Sequence, residues 1–255
     1  MSATANHRHA CILQMLQMEH ELTLAKLVLE TGASIATIRR DLLSLEQNGK
    51  VVRTLGGVRL ADSQSLVERA FDRRSQQCRQ EKLDIAAQAA KQVQDGMTII
   101  LDSGTTCWNL AKALQSRKSL RVVTSSIAII EALGGRDGIE IYLVGGKFRL
   151  ENLDFFGPHS IDTLGAFQAD IAFLGCDSLL PKLGAFTHDS ESAAISRAMC
   201  SSSRRHVLLC DHSKVGRSSP FLVMRPGEMD ELITDQGVPS LKGEPYLISI
   251  GRQEA

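Results

Sequence analysis

The spacing of apolar residues changes character partway along this chain. Up to about residue 50 they recur at helical spacing. "HACILQMLQMEH" sets Cys11, Ile12, Met15 and Leu16 on one side with Met18 nearby, and "TLAKLVLE" groups Leu24, Leu27 and Val28 behind Thr23 as N-cap. Thr31-Gly32 interrupts the pattern, Ser34 is placed to cap a third helix, "IATIRRDLLSLEQN", and Gly49 to end it. "KVVRTLGGVRL" then reads as two short strands around Gly56-Gly57, a hairpin signal. The polar stretch "ADSQSLVERAFDRRSQQCRQ" offers a linker or connecting helix and no readable chemistry. Beyond Lys82 short aliphatic runs recur: "MTIIL", "RVVTSS", "IEIYLVGG", "ADIAFLG", "HVLLC", "ELITD" and "YLISI". Helical stretches such as "LDIAAQAAKQV" and "SESAAISRAMC" lie between them. Continuous aliphatic strands alternating with helices predict an α/β fold with a mostly parallel sheet covered on both faces.

Composition narrows the function classes. The chain has 255 residues, 43% of them hydrophobic and 23% charged, with a formal net charge of zero, so nucleic-acid binding requires local clustering of charge. With one Trp and two Tyr, a stacking platform for single strands is not expected. The six cysteines, at 11, 78, 107, 176, 200 and 210, form no zinc-ligand spacing, so no metal site is expected. Scattered thiols, the absence of a long apolar run and the polar start "MSATANHRHA" point to a cytoplasmic protein.

Charge does cluster around the third helix. On a helical wheel Ile35, Ile38, Leu42 and Leu45 share one arc and should face the core. Ala36, Thr37, Arg40, Ser44 and Gln47 lie opposite, with Arg39 at the border. Between Ala33 and Leu60 five basic residues (Arg39, Arg40, Lys50, Arg53, Arg59) stand against two acids (Asp41, Glu46). A small-residue face carrying forked guanidinium groups suits the major groove, and Arg53 and Arg59 flank the hairpin tip, within reach of phosphates. The bland alternative is a three-helix bundle whose arginines are solvated or paired to Asp41. The order of short helix, glycine turn, capped helix and glycine-tipped hairpin instead predicts a winged helix-turn-helix over residues 1–60. Its candidate DNA-binding residues are Ser34, Ala36, Thr37, Arg39, Arg40, Ser44, Arg53 and Arg59.

A second pattern lies at the strand ends. "MTIIL" runs into Asp102, Ser103, Gly104, Thr105 and Thr106 before a helix. "RVVTSS" ends in Thr124, Ser125 and Ser126, and "IYLVGG" in Gly145 and Gly146 with Lys147 beyond. "AFLGCDS" supplies Gly175 and Asp177, and "LLCDHSK" supplies Asp211 and Lys214. In a parallel sheet these loops share one edge, where amides, hydroxyls and a helix N-terminus favour an anion. Asp102 would repel a phosphate, so its expected role is to hold the loop or accept from a sugar hydroxyl. Taken alone, "SGTT" is equally consistent with a plain turn.

"GASIATIRRDLLSLEQNGKVVRTLGGV" resembles the signature of the DeoR-type family of bacterial sugar-metabolism repressors. Ser34, Thr37, Ile38, Arg39, Arg40, Asp41, Leu42, Leu45, Gly49, Arg53, Gly56 and Gly57 stand where that pattern has them; Leu55 replaces its usual His. "LDSGTT", "VVT", Gly145-Gly146, "AFLG", "GAFT" at 184 to 187 and "D-x-S-K" at 211 to 214 are similar to the family's effector domain, with Ser125 and Ser196 departing from its usual Asn and Lys. The resemblance covers roughly Arg8 to Asp235. It implies a Rossmann-like domain over 81–255, joined by a linker over 61–80 and related to sugar-phosphate isomerases and coenzyme A transferases, that binds phosphorylated sugars. The expected function is a transcriptional regulator, a repressor of a carbohydrate-utilisation operon, controlled by a phosphorylated sugar or sugar acid. Double-stranded operator DNA is the expected partner, the protein a homodimer or homotetramer, and no cofactor or membrane is expected. The alternative is an isomerase-like enzyme using the same pocket, with Asp177 or Asp211 and Lys214 as acid and base. Cys107, Cys176 and Cys210 lie near enough to be weighed as nucleophiles, and "THDSES" is expected to cap a helix through Asp189 or Ser190 rather than to form a triad.

Overall fold

The computed structural model describes residues 3–19, 21–54, 57–61, 71–236 and 238–251, with side chains from His7 onward. The chain divides into two compact units, Met1–Arg69 and Ala70–Ala255.

The first unit holds α1 (Ala3–Met18), α2 (Leu24–Thr31), α3 (Ile35–Gln47), β1 (Val51–Arg53) and β2 (Val58–Leu60). Thr23 caps α2 by accepting from the Lys26 amide, and Gly32 ends it at φ +64° with its N–H on the Val28 carbonyl. Ser34 caps α3 by accepting from the Thr37 amide. Ile12, Leu16, Leu22, Leu27, Ile38, Leu42, Leu45, Val51 and Val58 form the core. Two expectations from the wheel need correction. Ile35 is 52% exposed, because as the first residue of α3 it precedes the turn that meets the core, and Met18 at the end of α1 is 84% exposed. The core edge is taken instead by Asp41, 5% exposed and bonded to Arg8 and His9.

β1 and β2 pair antiparallel, Val51 against Leu60 and Arg53 against Val58. Leu55 and Gly56, at the expected hairpin tip, lie outside the described residues. Leu22 adds a third rung by exchanging two backbone hydrogen bonds with Val58, 2.9 and 2.8 Å long. This close approach explains Gly57: a Cβ there would strike the Leu22 carbonyl oxygen. Gly57→Ala is therefore expected to destabilise this unit by about 2 kcal/mol, seen as a lower urea midpoint, since backbone cannot move aside as a flexible side chain would.

In the second unit seven parallel strands lie in the order β14-β13-β11-β8-β3-β4-β5. They are β3 (Thr98–Leu101), β4 (Leu120–Thr124), β5 (Ile139–Leu143), β8 (Ile171–Leu174), β11 (His206–Leu209), β13 (Glu231–Thr234) and β14 (Leu247–Ile250). Each corresponds to one of the aliphatic runs read from the sequence. Helices α4 (Arg79–Ala90), α5 (Thr105–Ala113) and α6 (Ile127–Leu133) contribute to one core with Ile99, Leu101 and Val122. On the other face α7 (Pro158–Leu164) and α8 (Ser190–Ser201) pack with Ile100, Val123, Ala172 and Leu208. Alternate residues of β3 thus enter opposite cores, as a sheet buried on both sides demands. Two small antiparallel elements, which the sequence reading did not resolve, sit beside this frame. One is the hairpin β6 (Lys147–Arg149) and β7 (Asp154–Phe156), and the other is the sheet β12-β10-β9, from β9 (Ser178–Leu180), β10 (Gly184–Thr187) and β12 (Phe221–Met224).

Of the expected linker over 61–80, residues 62–70 lie outside the described residues. Residues 71–76 are helical, and Phe71 is buried edge-on against Trp108 at 5.7 Å between ring centroids. From β3 the chain winds outward through β4 and β5, then returns to place β8 on the other side of β3. The sheet therefore changes winding direction between β3 and β8, where a crevice opens beyond the carboxyl ends of the strands.

Candidate functional site

Helix α3 presents the expected polar surface. Ser34, Ala36, Arg39 and Arg40 are exposed, Thr37 and Ser44 are half-buried, and Arg53 and Arg59 on the hairpin are exposed. Ser34 and Thr37 also bond through their hydroxyls at 2.9 Å, so both serve the start of the helix. Asp41 is turned inward to Arg8 and His9 and leaves Arg39 and Arg40 facing solvent.

In the second unit a cavity of about 460 Å³ lies at the change of winding direction. Asp102 follows β3; its Oδ1 accepts the Ser103 amide at 2.8 Å and its Oδ2 the Gly175 amide at 3.0 Å. One carboxylate thereby holds the ends of β3 and β8 together. Burial pushes the Asp102 pKa up, helped by Asp154 and Asp177 and opposed by the two amides. Gly104 is the N-cap of α5, and Thr105 and Thr106 form its first turn, so amides and hydroxyls meet at the cavity wall. Asp177 accepts the Thr187 hydroxyl at 2.7 Å and the His188 amide at 2.9 Å. Asp211, 1% exposed, accepts the Ser213 hydroxyl at 2.5 Å. Lys214 Nζ donates to the Cys176 carbonyl at 2.7 Å and lies 4.0 Å from Asp211. Burial disfavours that ammonium, but Cys176, Cys210, Asp211 and Asp177 outweigh it and raise the Lys214 pKa.

Asp102, Ser103, Gly104, Thr105, Thr106, Gly175, Asp177, Asp211 and Lys214 thus line one cavity, as the strand ends suggested. Thr124, Ser125, Ser126, Gly145, Gly146 and Lys147 are not part of its lining. β4 and β5 lie outward from the crevice, and the β6–β7 hairpin closes over their ends: Phe155 donates to the Ser125 carbonyl and Ile127 to the Leu153 carbonyl. The Thr124 hydroxyl is spent on the Leu101 carbonyl at 2.8 Å. The Gly145 carbonyl accepts from Ser160, and a Cβ on Gly146 would strike Phe156 and Ser160. Lys147 is exposed, with Nζ 5.3 Å from the Phe156 ring centroid.

Several lining residues escaped the sequence reading. Arg74 comes from the stretch in which no chemistry was read, Lys82 from the first turn of α4 just beyond it, and Asn152 and Asp154 from the unrecognised hairpin. Arg149 grips Asp154 through Nε and Nη2 at 3.0 and 2.8 Å and reaches Asp189 at 3.1 Å. Asp154 in turn accepts the Ser103 hydroxyl at 2.9 Å. Asp189 caps α8, accepting the Ser192 amide at 2.7 Å. Cys107 and Cys210 are buried free thiols, pushed well above the ordinary value, Cys107 by burial and Cys210 by its hydrogen bond with the Cys176 thiol and by burial. Both are poor nucleophiles in that state. Among the described residues, no cluster of three His, Cys, Asp or Glu is placed to hold a metal ion, and no helix is long and apolar enough to cross a membrane.

Comparison with known proteins bears on both units. Residues 8–64 match the DeoR-like helix-turn-helix domain, and residues 77–236 match the DeoR C terminal sensor domain. The chain is 32% identical to the transcriptional repressor AccR of Agrobacterium fabrum, over 92% of this chain and 91% of that one. It is 31% identical to the HTH-type transcriptional repressor GlcR of Bacillus subtilis, over 90% and 88%. It is 30% identical to the glycerol-3-phosphate regulon repressor of Escherichia coli, over 91% of each. Likeness that runs through both modules, in the same order and along most of each relative, makes this chain a member of the DeoR family of DNA-binding transcriptional regulators.

Proposed function

We propose that this protein represses a carbohydrate-utilisation operon and that a phosphorylated sugar or sugar acid, bound in the cavity between β3, β8 and β11, sets its grip on operator DNA. One observation carries the ligand half of this reading. The helix-turn-helix is joined to a unit whose cavity gathers hydroxyls, a helix N-terminus and Lys214 at one sheet edge. The names of the relatives, repressors and in one case a glycerol-3-phosphate regulon repressor, support it. Two copies reading a symmetric operator would each set α3 in a major groove, with Arg39, Arg40, Thr37, Ala36 and Ser44 toward the bases and Arg53 and Arg59 toward phosphates. Such a cytoplasmic homodimer or homotetramer needs no cofactor. The ligand would couple to DNA by about 1–3 kcal/mol, a typical allosteric range.

The test uses the full chain and a duplex carrying its operator. Arg40→Ala is expected to weaken binding about tenfold or more, the loss of one bidentate base contact. Wild-type affinity should fall steeply with salt, each phosphate contact adding about 0.9 to the log–log slope. Sugar phosphates should raise the melting temperature of the second unit without being consumed. Turnover, or an Arg40→Ala protein that binds normally, contradicts the reading.

A further inference from the structure

Two free thiols meet at the cavity wall without a part in holding an anion. β8 and β11 run parallel, with Leu174 opposite Leu208. Cys176 and Cys210 each stand two residues further along. Side-chain alternation therefore puts both on the face of Ala172, Leu174 and Leu208 and into the same core. Neighbouring strands lie about 4.8 Å apart, inside the Cα separation of about 4.4–6.8 Å that a disulfide spans. The two thiols are already joined by a hydrogen bond. Their access to solvent differs. Cys176 lines the cavity and is 7% exposed, whereas Cys210 is fully buried at 0%. Lys214 brings its ammonium beside Cys176, donating to that residue's carbonyl at 2.7 Å. Cys78 also lines the cavity, but its partner is the Ser213 hydroxyl, and the Cys107 thiol faces the Phe173 carbonyl.

We propose that Cys176 and Cys210 are an oxidant-sensing pair, which hydrogen peroxide entering the cavity converts reversibly into a disulfide in its wall. The Cys176 sulfur attacks one peroxide oxygen: an S–O bond forms, the O–O bond breaks, and the thiol proton leaves with the departing oxygen as water. The Cys210 sulfur then displaces hydroxide from the sulfenic acid. The S–S bond forms, the S–O bond breaks, and the Cys210 proton goes with the hydroxide as a second water. The two sulfurs together give up two electrons, and the peroxide takes them. Burial and the bond to Cys176 raise the Cys210 pKa, which makes it a poor first nucleophile, and the cavity brings peroxide to Cys176 instead. As the resolving thiol, Cys210 is held against the sulfur it attacks, so proximity replaces intrinsic reactivity. The strand geometry also makes the bond reversible. Disulfide Cβ atoms approach to about 3.8 Å, closer than strand spacing, and a bond formed under such strain is readily reduced. It joins the loop carrying Asp177 to the loop carrying Asp211 and Lys214, so oxidation redraws the cavity wall whichever anion the cavity holds.

The experiment treats the reduced full-length protein with hydrogen peroxide, blocks the remaining thiols with iodoacetamide and maps the peptides by mass spectrometry. Peptides linked through Cys176 and Cys210 should appear, and reduced glutathione should restore both thiols without unfolding the protein. Cys210→Ala should leave Cys176 as a sulfenic acid that dimedone captures, and Cys176→Ala should leave Cys210 unmodified. The wild-type map requires no variant, so it decides the matter where alanine unsettles the core. Hydrogen exchange of the oxidised and reduced wild type should differ in peptides covering 175–180 and 209–216, the two joined loops. A wild-type map without the Cys176–Cys210 link, whichever other thiols react, overturns the inference. So does a link that glutathione leaves intact, or one that leaves exchange in both loops unchanged.

Discussion

Asp41→Ala is expected to cost the helix-turn-helix unit about 3 kcal/mol and to remove measurable operator binding. The carboxylate is 5% exposed and accepts Arg8 Nε at 2.5 Å, Arg8 Nη2 at 3.1 Å and His9 Nε2 at 3.1 Å. It ties α1 to α3 beside the apolar core, so alanine leaves two polar groups facing each other without their acceptor. Breaking a buried pair costs about 3–5 kcal/mol, and the partial exposure of Arg8 places this one at the low end. A unit of this size has only about 5 kcal/mol of stability to lose. The chain has a single tryptophan, Trp108, in the second unit, which separates the two events. Circular dichroism should show an early transition in the variant while Trp108 fluorescence melts as before. Coincident, unshifted transitions would contradict the assignment. The pH dependence has a definite sign. Burial alone would raise the Asp41 pKa, but the bonds to Arg8 and His9 outweigh it and the folded value lies below the ordinary one. The pair's contribution is therefore complete above the unfolded carboxyl value near ~4 and is lost as pH falls through the folded value. Acid should melt the first unit of the wild type by this route, and the alanine variant should lack that component of the acid sensitivity.

Asp41 also marks a limit of sequence reasoning. A helical wheel sorts residues by type and sends every acid outward, yet here α3 buries an acid because α1 supplies Arg8 and His9 to meet it. Ile35 errs the other way, since its angle is right but its axial position lies beyond the packed turn. The seven strands of the large sheet were legible for a simple reason. Strands such as β8 and β13 are buried at every residue, which demands an uninterrupted aliphatic run or a paired exception such as Glu231. The hairpin β6–β7 and the sheet β9-β10-β12 have strands of three or four residues, too short to show a period of two. That gap carried through to the site. Strand-end chemistry pointed alike to the loops after β3, β8 and β11, which line the cavity, and to those after β4 and β5, which do not, because it holds no information on strand order. Only the order shows which ends flank the crevice and which are closed by the hairpin. Arg74 stands in a polar stretch with no periodicity and Lys82 in the first turn of α4, and their place at the cavity exists only once the fold brings them beside Asp102 and Lys214.

The largest effect in the second unit is expected from Arg149→Met. Asp154 is 1% exposed and receives both Nε and Nη2 of Arg149, with the Ser103 hydroxyl as its remaining partner. Methionine keeps much of the stem volume and removes the positive charge, so a carboxylate stays buried with one neutral donor. The expected loss is about 3–4 kcal/mol in urea unfolding followed by Trp108 fluorescence. Asp189 contributes little to that cost, because its side chain is 44% exposed and keeps its bonds to Ser192. The origin of the penalty can be isolated. If it comes from the stranded charge, Arg149→Met with Asp154→Asn should be more stable than Arg149→Met alone, since the double variant no longer buries an unpaired anion. If the loss reflected packing alone, the second substitution would add to it. The cavity should respond as well, for Ser103 is anchored through Asp154 and sits in the loop between β3 and α5. With that anchor loosened, the melting shift produced by a phosphorylated sugar should shrink in the single variant, while the β3–β8 tie through Asp102 and Gly175 remains. Stability and ligand response would then fail together from one ion pair, because the arginine that neutralises the hairpin carboxylate also holds the Ser103 loop in place.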